Sequence, residues 1–76
     1  MDRIFAILAE LRPEFDYHGS ANFIEDGLLD SFDVISLVST LEGEYGVLID
    51  ALDIVPENFS AAEAIAALIV KSGGTV

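Results

Sequence analysis

The sequence predicts an all-α fold, a small four-helix bundle built as a single domain over residues 1–76. Three observations support this prediction. Apolar residues recur with a helical period in three separate segments, and residues that start or stop helices flank them. The chain also has no cysteine and is 53% hydrophobic, so a plain hydrocarbon core must hold a domain of this small size. The expected order is a first helix, a long loop, a central helix, a short third helix and a final helix.

The first helix is predicted over residues 2–12. Its apolar residues fall at helical spacing: Ile4, Phe5, Leu8 and Leu11. Pro13 disfavours helical geometry at Arg12, so the helix is expected to stop there. The long connection that follows, residues 16–30, is of a length that is usually functional or disordered. Four apolar residues favour an ordered loop that is pinned to the core: Phe23, Ile24, Leu28 and Leu29.

The central helix, Ser31–Tyr45, has the clearest pattern. One apolar face is formed by Val34, Val38, Leu41 and Tyr45, and is widened by Ile35 and Leu37. Asp30 is the predicted N-cap, because its carboxylate can accept hydrogen bonds from free N–H groups of the first turn. Asp33 in that turn suits the positive end of the helix dipole. Gly46 is placed to end the helix.

The last third of the chain is predicted to hold one short helix and one longer one. Val47 and Ile49 form an extended return to the core, and the stretch around Pro56 is too broken for more than one helical turn. The residues 60–63, Ser-Ala-Ala-Glu, fit a capping box that opens the final helix. That helix uses Ile65, Leu68 and Ile69, and ends at the glycine pair 73–74.

The charge of the chain is strongly acidic. Fourteen acidic residues face three basic ones, for a formal net charge of −11, and no Lys or Arg occurs between Arg12 and Lys71. Such a surface repels nucleic acid and attracts proteins with basic patches. No apolar run reaches the roughly 20 residues of a membrane helix. Without cysteines or a signal-peptide pattern at residues 1–3, we expect a cytoplasmic protein that is not embedded in a membrane.

Ser31, at the start of the central helix, allows three interpretations. As a nucleophile it would need a nearby base, but the only histidine is His18 and no Gly-x-Ser-x-Gly elbow is present, so we do not expect an enzyme. As a helix-start residue it would duplicate the role of Asp30. As an acceptor of a phosphate group it would lie in the favourable field of a helix N-terminus. A calcium loop from Asp16 would end at Gly27 in place of a bidentate Glu, so no metal site is expected.

The segment 27–38, Gly-Leu-Leu-Asp-Ser-Phe-Asp-Val-Ile-Ser-Leu-Val, closely resembles the phosphopantetheine attachment motif of acyl and peptidyl carrier proteins. Residues 41–47 are similar to the end of that family's second helix, and the resemblance extends loosely over the whole chain. It implies that Ser31 receives 4′-phosphopantetheine from coenzyme A through a magnesium-dependent phosphopantetheinyl transferase. The arm's thiol would then carry an acyl or aminoacyl group as a thioester, on a monomeric carrier that serves other enzymes.

The resemblance also implies roles for residues around Ser31. Contacts with the transferase or other partners would involve Asp30, Phe32, Asp33 and Glu42. Candidates for lining an acyl pocket, or for plain core, are Val34, Val38, Leu41, Ile49 and Phe59. The triplet reads Asp-Ser-Phe where the family commonly has Asp-Ser-Leu, so Phe32 is expected to be exposed beside the arm.

The length of residues 47–65 resembles D-alanyl and peptidyl carriers. This favours a stand-alone carrier loaded by an adenylate-forming ligase and unloaded by an acyltransferase or synthase, with a fatty-acid or polyketide carrier as the next alternative. An acidic helical interaction module that is never modified is the alternative from another class.

Overall fold

The computed structural model describes residues 2–76, which form an all-helical domain. Its α-helices are α1 (Asp2–Leu11), α2 (Ser31–Tyr45) and α3 (Ala62–Lys71). Single 3₁₀ turns occur at Tyr17–Gly19, Ala51–Asp53 and Pro56–Phe59, and no strand is present within residues 2–76. The all-α class is therefore confirmed. The described part of the chain contains three α-helices, and the short third helix of the prediction is replaced by 3₁₀ turns.

Helix α1 packs against both α2 and α3, and ends at Leu11 as Pro13 led us to expect. Its core contacts come from Ile4, Ile7 and Leu8, which are buried. Arg3, at its start, lies 2.6 Å from Glu44 near the end of α2. Arg12, just past its end, lies 3.1 Å from Asp33 at the start of α2. The two helices are thus antiparallel, with an ion pair near each end.

Helix α2 has the bounds that the sequence predicts. Asp30 caps its start, and Gly46 ends it in the left-handed conformation at φ 66°, which glycine adopts without steric cost. Leu37, Val38 and Leu41 are buried. The expectation for Ile35 was wrong, because this residue is 65% exposed. It lies two positions before the buried Leu37, and residues two apart in an α-helix point about 160° away from each other.

The long connection between α1 and α2 is ordered against the core, as its apolar residues indicate. Phe23 and Leu29 are almost fully buried. The N–H of Phe23 donates to the carbonyl of Ser60 at 2.7 Å, and the Phe23 carbonyl accepts from the N–H groups of Leu28 and Leu29. The ring of Tyr17 meets the ring of Phe23 edge-on, 5.3 Å between centroids. This loop is therefore held by both apolar burial and backbone hydrogen bonds.

The segment between α2 and α3 differs most from the prediction. Val47 and Ile49 return to the core as expected, and the stretch around Pro56 forms one short turn, Pro56–Phe59, as expected, although its geometry is 3₁₀. The capping box at residues 60–63 was wrong. Ala61 is the N-cap residue of α3 and makes no side-chain cap. The Ser60 hydroxyl donates to the Glu57 carbonyl at 2.9 Å and closes the preceding turn. The N-cap lies one residue later than the predicted box requires, at Ala61, whose carbonyl accepts from the N–H of Ile65.

Candidate functional site

Ser31 is the first residue of α2, and it is exposed to solvent. The start of this helix is capped by its neighbours. A carboxylate oxygen of Asp30 accepts from the N–H of Asp33 at 2.9 Å, and a carboxylate oxygen of Asp33 accepts from the N–H of Asp30 at 3.1 Å. This reciprocal arrangement is a capping box. Since two aspartates supply the cap, the hydroxyl of Ser31 takes no part in it.

Asp33 lies inside the fold, although the sequence indicated a residue on the partner surface. It is 8% exposed, and its Oδ1 accepts from Nε of Arg12 at 3.1 Å. Burial acts to raise the pKa of Asp33, but hydrogen bonds from Arg12 and Asp30 and the charge of Arg12 outweigh burial and lower this pKa overall. Asp33 is therefore a carboxylate held ionised at the base of the first turn, with little surface left for a partner.

Arg12 contacts three carboxylates. Besides Asp33, its guanidinium lies 3.6 Å from Asp30 and 3.4 Å from Glu14. From the sequence, Arg12 was predicted only to lie at the end of the first helix, because its partners lie up to 21 positions away along the chain. Its one sequence signal was its isolation as the last cation before Lys71.

An apolar groove of about 370 Å³ opens beside Ser31. Its lining comes from the long loop, the start of α2 and the segment that leads into the last 3₁₀ turn, including the first residue of that turn: Ile24, Leu29, Asp30, Ser31, Val34, Ile35, Ile54, Val55 and Pro56. Of the five residues that the sequence suggested for an acyl pocket, Val34 is the one that lines this groove. Four others lie buried in the core and do not line it: Val38, Leu41, Ile49 and Phe59. Their helical periodicity indicated burial, which does not distinguish a core from a pocket wall.

The remaining predicted partner residues have different surroundings. Phe32 is 83% exposed beside Ser31, as expected for a residue that a partner could touch. Glu42 is half-buried, and its carboxylate accepts from the N–H of Ile49 at 2.9 Å. That bond ties the loop after α2 back to the helix. Asp30 is exposed and keeps one carboxylate oxygen 3.6 Å from Arg12.

Other chemistry around the chain has little support. His18 stacks on the ring of Phe5 with 3.8 Å between ring centroids, and its Nδ1 lies 3.9 Å from Asp16. Within residues 2–76, no group of three or more His, Cys, Asp or Glu side chains could hold a metal ion. The same residues contain no helix with both the length and the apolar character needed to cross a membrane.

Comparisons of the chain with protein-family models, with curated proteins and with solved structures find no match. The site is therefore defined by its own residues: an exposed serine at a capped helix start, an arginine-linked pair of aspartates and an adjoining apolar groove.

Proposed function

We propose that this chain is a carrier protein that holds an acyl or aminoacyl group as a thioester on a 4′-phosphopantetheine arm attached to Ser31. One observation carries the proposal: an exposed serine hydroxyl stands at the first residue of α2, free of the capping box, at the edge of an apolar groove. A modifying enzyme can reach a hydroxyl in that position. The resemblance of residues 27–38 to the attachment motif supports the same serine.

The residues around Ser31 fit a phosphodiester. The start of a helix carries partial positive charge and N–H groups that have no partner within the helix. The capping box occupies the N–H of Asp33, and the N–H groups of Ser31 and Phe32 belong to the same first turn. Asp30 lies close to the same position, and its partial pairing with Arg12 reduces the repulsion of a phosphate. When bound, the arm supplies the thiol that a chain without cysteine lacks.

The partners follow from the surface. Phe32 offers an apolar contact next to Ser31, and the net charge of −11 favours enzymes with basic docking surfaces. These would be a phosphopantetheinyl transferase, a ligase that loads the arm, and an acyltransferase or synthase that unloads it. The chain itself would catalyse nothing and would work as a monomer in the cytoplasm. We favour loading by an adenylate-forming ligase, as for D-alanyl or peptidyl carriers, with a fatty-acid or polyketide cargo as the second option.

In such a carrier the fold would be a four-helix bundle in which the 3₁₀ turn at Pro56–Phe59 stands in for the short third helix. The turn lies next to α3, and its first residue, Pro56, lines the groove beside Ser31. The groove would then receive part of the arm or its cargo, because its lining is mostly apolar and Ser31 forms part of its edge.

The test is the intact mass of the protein after incubation with coenzyme A, Mg²⁺ and a broad-specificity phosphopantetheinyl transferase. We expect the gain of one phosphopantetheine, lost in Ser31→Ala. Ser36→Ala is the matched control, since Ser36 is also exposed on α2 and its loss should leave the gain intact. No gain under conditions that modify a known carrier would refute the proposal.

A second candidate is an acidic interaction module that is never modified. Leu48 and Leu52 favour it, because both side chains are 85% exposed on a short segment whose backbone is fixed by hydrogen bonds. If the two leucines form one contiguous apolar patch, that patch would be the contact surface of the module. The module requires no change at Ser31, so an unmodified mass after the transferase reaction would favour it over the carrier.

A further inference from the structure

We infer that Arg12 is a positioning residue for the modification of Ser31: it fixes the first turn of α2 against the end of α1. The inference rests on the proposed function, and it assigns a role to a residue outside the segment that resembles the attachment motif. Arg12 would act through the two aspartates of the capping box and would not touch the reacting atoms.

The contacts of Arg12 reach both halves of the capping box. Its Nε donates to Asp33 Oδ1 at 3.1 Å, and its Nη2 lies 3.6 Å from Asp30 Oδ2. The second oxygen of each aspartate accepts an N–H of the other aspartate. Ser31 lies between these two residues in the chain. One guanidinium therefore links both groups that define the geometry of the turn carrying the hydroxyl.

Without Arg12, the negative charge of Asp33 at the first turn of α2 would have no cation beside it. Asp33 is 8% exposed, and the titratable groups that act on it besides Arg12 are Asp30 and Tyr17, neither of which is a cation. The pair is part-buried, with Asp33 on the inner side, so removing Arg12 leaves a carboxylate of low exposure without a cation partner, which is unfavourable. Asp33 would then turn towards water or take up a proton. Either change weakens the box and releases the first turn.

A looser turn should slow the chemical step more than the encounter. In the transfer, Ser31 Oγ bonds to the phosphorus of the pantetheine phosphate, the pyrophosphate bond of coenzyme A breaks, and adenosine 3′,5′-bisphosphate leaves. The hydroxyl proton passes to a base of the transferase or to water. The rate depends on how often the hydroxyl is held in line, so misplacement lowers kcat. The encounter depends on the acidic surface as a whole, so KM should change little.

The experiment compares Arg12→Gln with Arg3→Gln. Both changes remove one positive charge and one link between α1 and α2, but Arg3 bonds Glu44 at the far end of α2. Initial rates of phosphopantetheine transfer are measured at several concentrations of the carrier variant, at a temperature well below the Tm of each variant. For Arg12→Gln we expect kcat to fall about tenfold with KM changed less than about twofold, and for Arg3→Gln we expect no change in kcat. Arg12→Lys should recover part of the loss, because it restores the charge but not the fork of donors.

A second measurement reads the turn directly. In nuclear magnetic resonance spectra, Arg12→Gln should raise the pKa of the Asp33 carboxyl and speed the exchange of the Asp33 N–H, and Arg3→Gln should change neither. Equal kcat values for the two variants, or an unchanged Asp33 N–H in Arg12→Gln, would overturn the inference. Modification of the unchanged protein would still support the carrier in that case. Absence of modification in the unchanged protein would refute the carrier and, with it, this role of Arg12.

Discussion

Within residues 2–76, the hydroxyl of Tyr17 is the buried side-chain polar atom that has no hydrogen-bond partner. Its side chain lies in the core, its oxygen is shielded from solvent, and it has no hydrogen-bond partner among residues 2–76. Burial raises the pKa of Tyr17, and the nearby charges of Asp33 and Glu14 raise it further, against the opposing effect of Arg12. The hydroxyl is therefore protonated over the whole neutral range. We expect Tyr17→Phe to stabilise the protein.

The size of this effect follows from the contacts of the ring. A buried donor without a partner costs about 1–3 kcal/mol. Phenylalanine would keep the edge-on contacts with Phe15 and Phe23, because these involve the ring and not the oxygen. The small space left by the oxygen loses some dispersion contacts, so we take the lower end of that range, about 1 kcal/mol. For a domain of this size, that corresponds to a rise in Tm of about 4–8 °C.

The assay is urea unfolding at neutral pH, together with thermal unfolding followed by circular dichroism. Tyr45→Phe is the matched control. Tyr45 is half-buried at the end of α2, with the Arg3 guanidinium 4.6 Å from its ring centre, and its change should stay within about 0.5 kcal/mol. A lower free energy of unfolding for Tyr17→Phe than for the unchanged protein would refute the reasoning, since it would mean that the hydroxyl is paired in solution.

Four other predictions concern α2 and its caps. Asp30→Ala should lower the free energy of unfolding by about 1 kcal/mol, because the N-cap of α2 is lost. An unchanged free energy of unfolding in urea would contradict a stabilising role of the capping box. Gly46→Ala should destabilise by about 1–2 kcal/mol because of its φ of 66°. By contrast, Gly43→Ala should stabilise by up to about 1 kcal/mol, since the added methyl would point into open space and meet no other part of the fold. Equal effects of the two alanines would be the contrary result. Because the pKa of Asp33 is lowered in the folded protein, its ionised carboxylate stabilises the fold at pH values above the ordinary pKa, and this stabilisation is lost as the pH falls through the folded pKa. Asp33→Asn should therefore lower the free energy of unfolding in urea by its full amount at pH 7 and by less below about pH 4. A deficit independent of pH would contradict that assignment.

The sequence predicted α2 to the residue because its signals are local. A capping aspartate, an apolar face and a terminal glycine all lie within or next to the helix itself. The start of α3 was missed for the opposite reason. Ser60 has the right spacing for a capping box, but its hydroxyl bonds Glu57 and its carbonyl accepts from the N–H of Phe23, 37 positions earlier. A hydrogen bond to a residue as distant as Phe23 cannot be predicted from the few residues around Ser60.

In the candidate site, too, the features set by neighbouring residues were predicted and those set by distant residues were not. The exposure of Phe32 and the position of Ser31 at a helix start follow from local pattern, and both agree with the prediction. The groove does not, because Ile24 and Ile54 come from separate loops that meet only in the folded domain. The burial of Asp33 was missed because the carboxylate is compensated by Arg12, on the other side of the long loop.

The ion pairs have a consequence for how the protein responds to ionic strength. Arg3, Arg12 and Lys71 each already lie against a carboxylate of the same chain, so the many remaining acidic groups have no side-chain cation to neutralise them. Dissolved cations must moderate their mutual repulsion, and added salt should make the isolated domain harder to unfold. The same salt should weaken its complexes with basic enzymes. Folding and docking would thus respond to electrolyte in opposite directions.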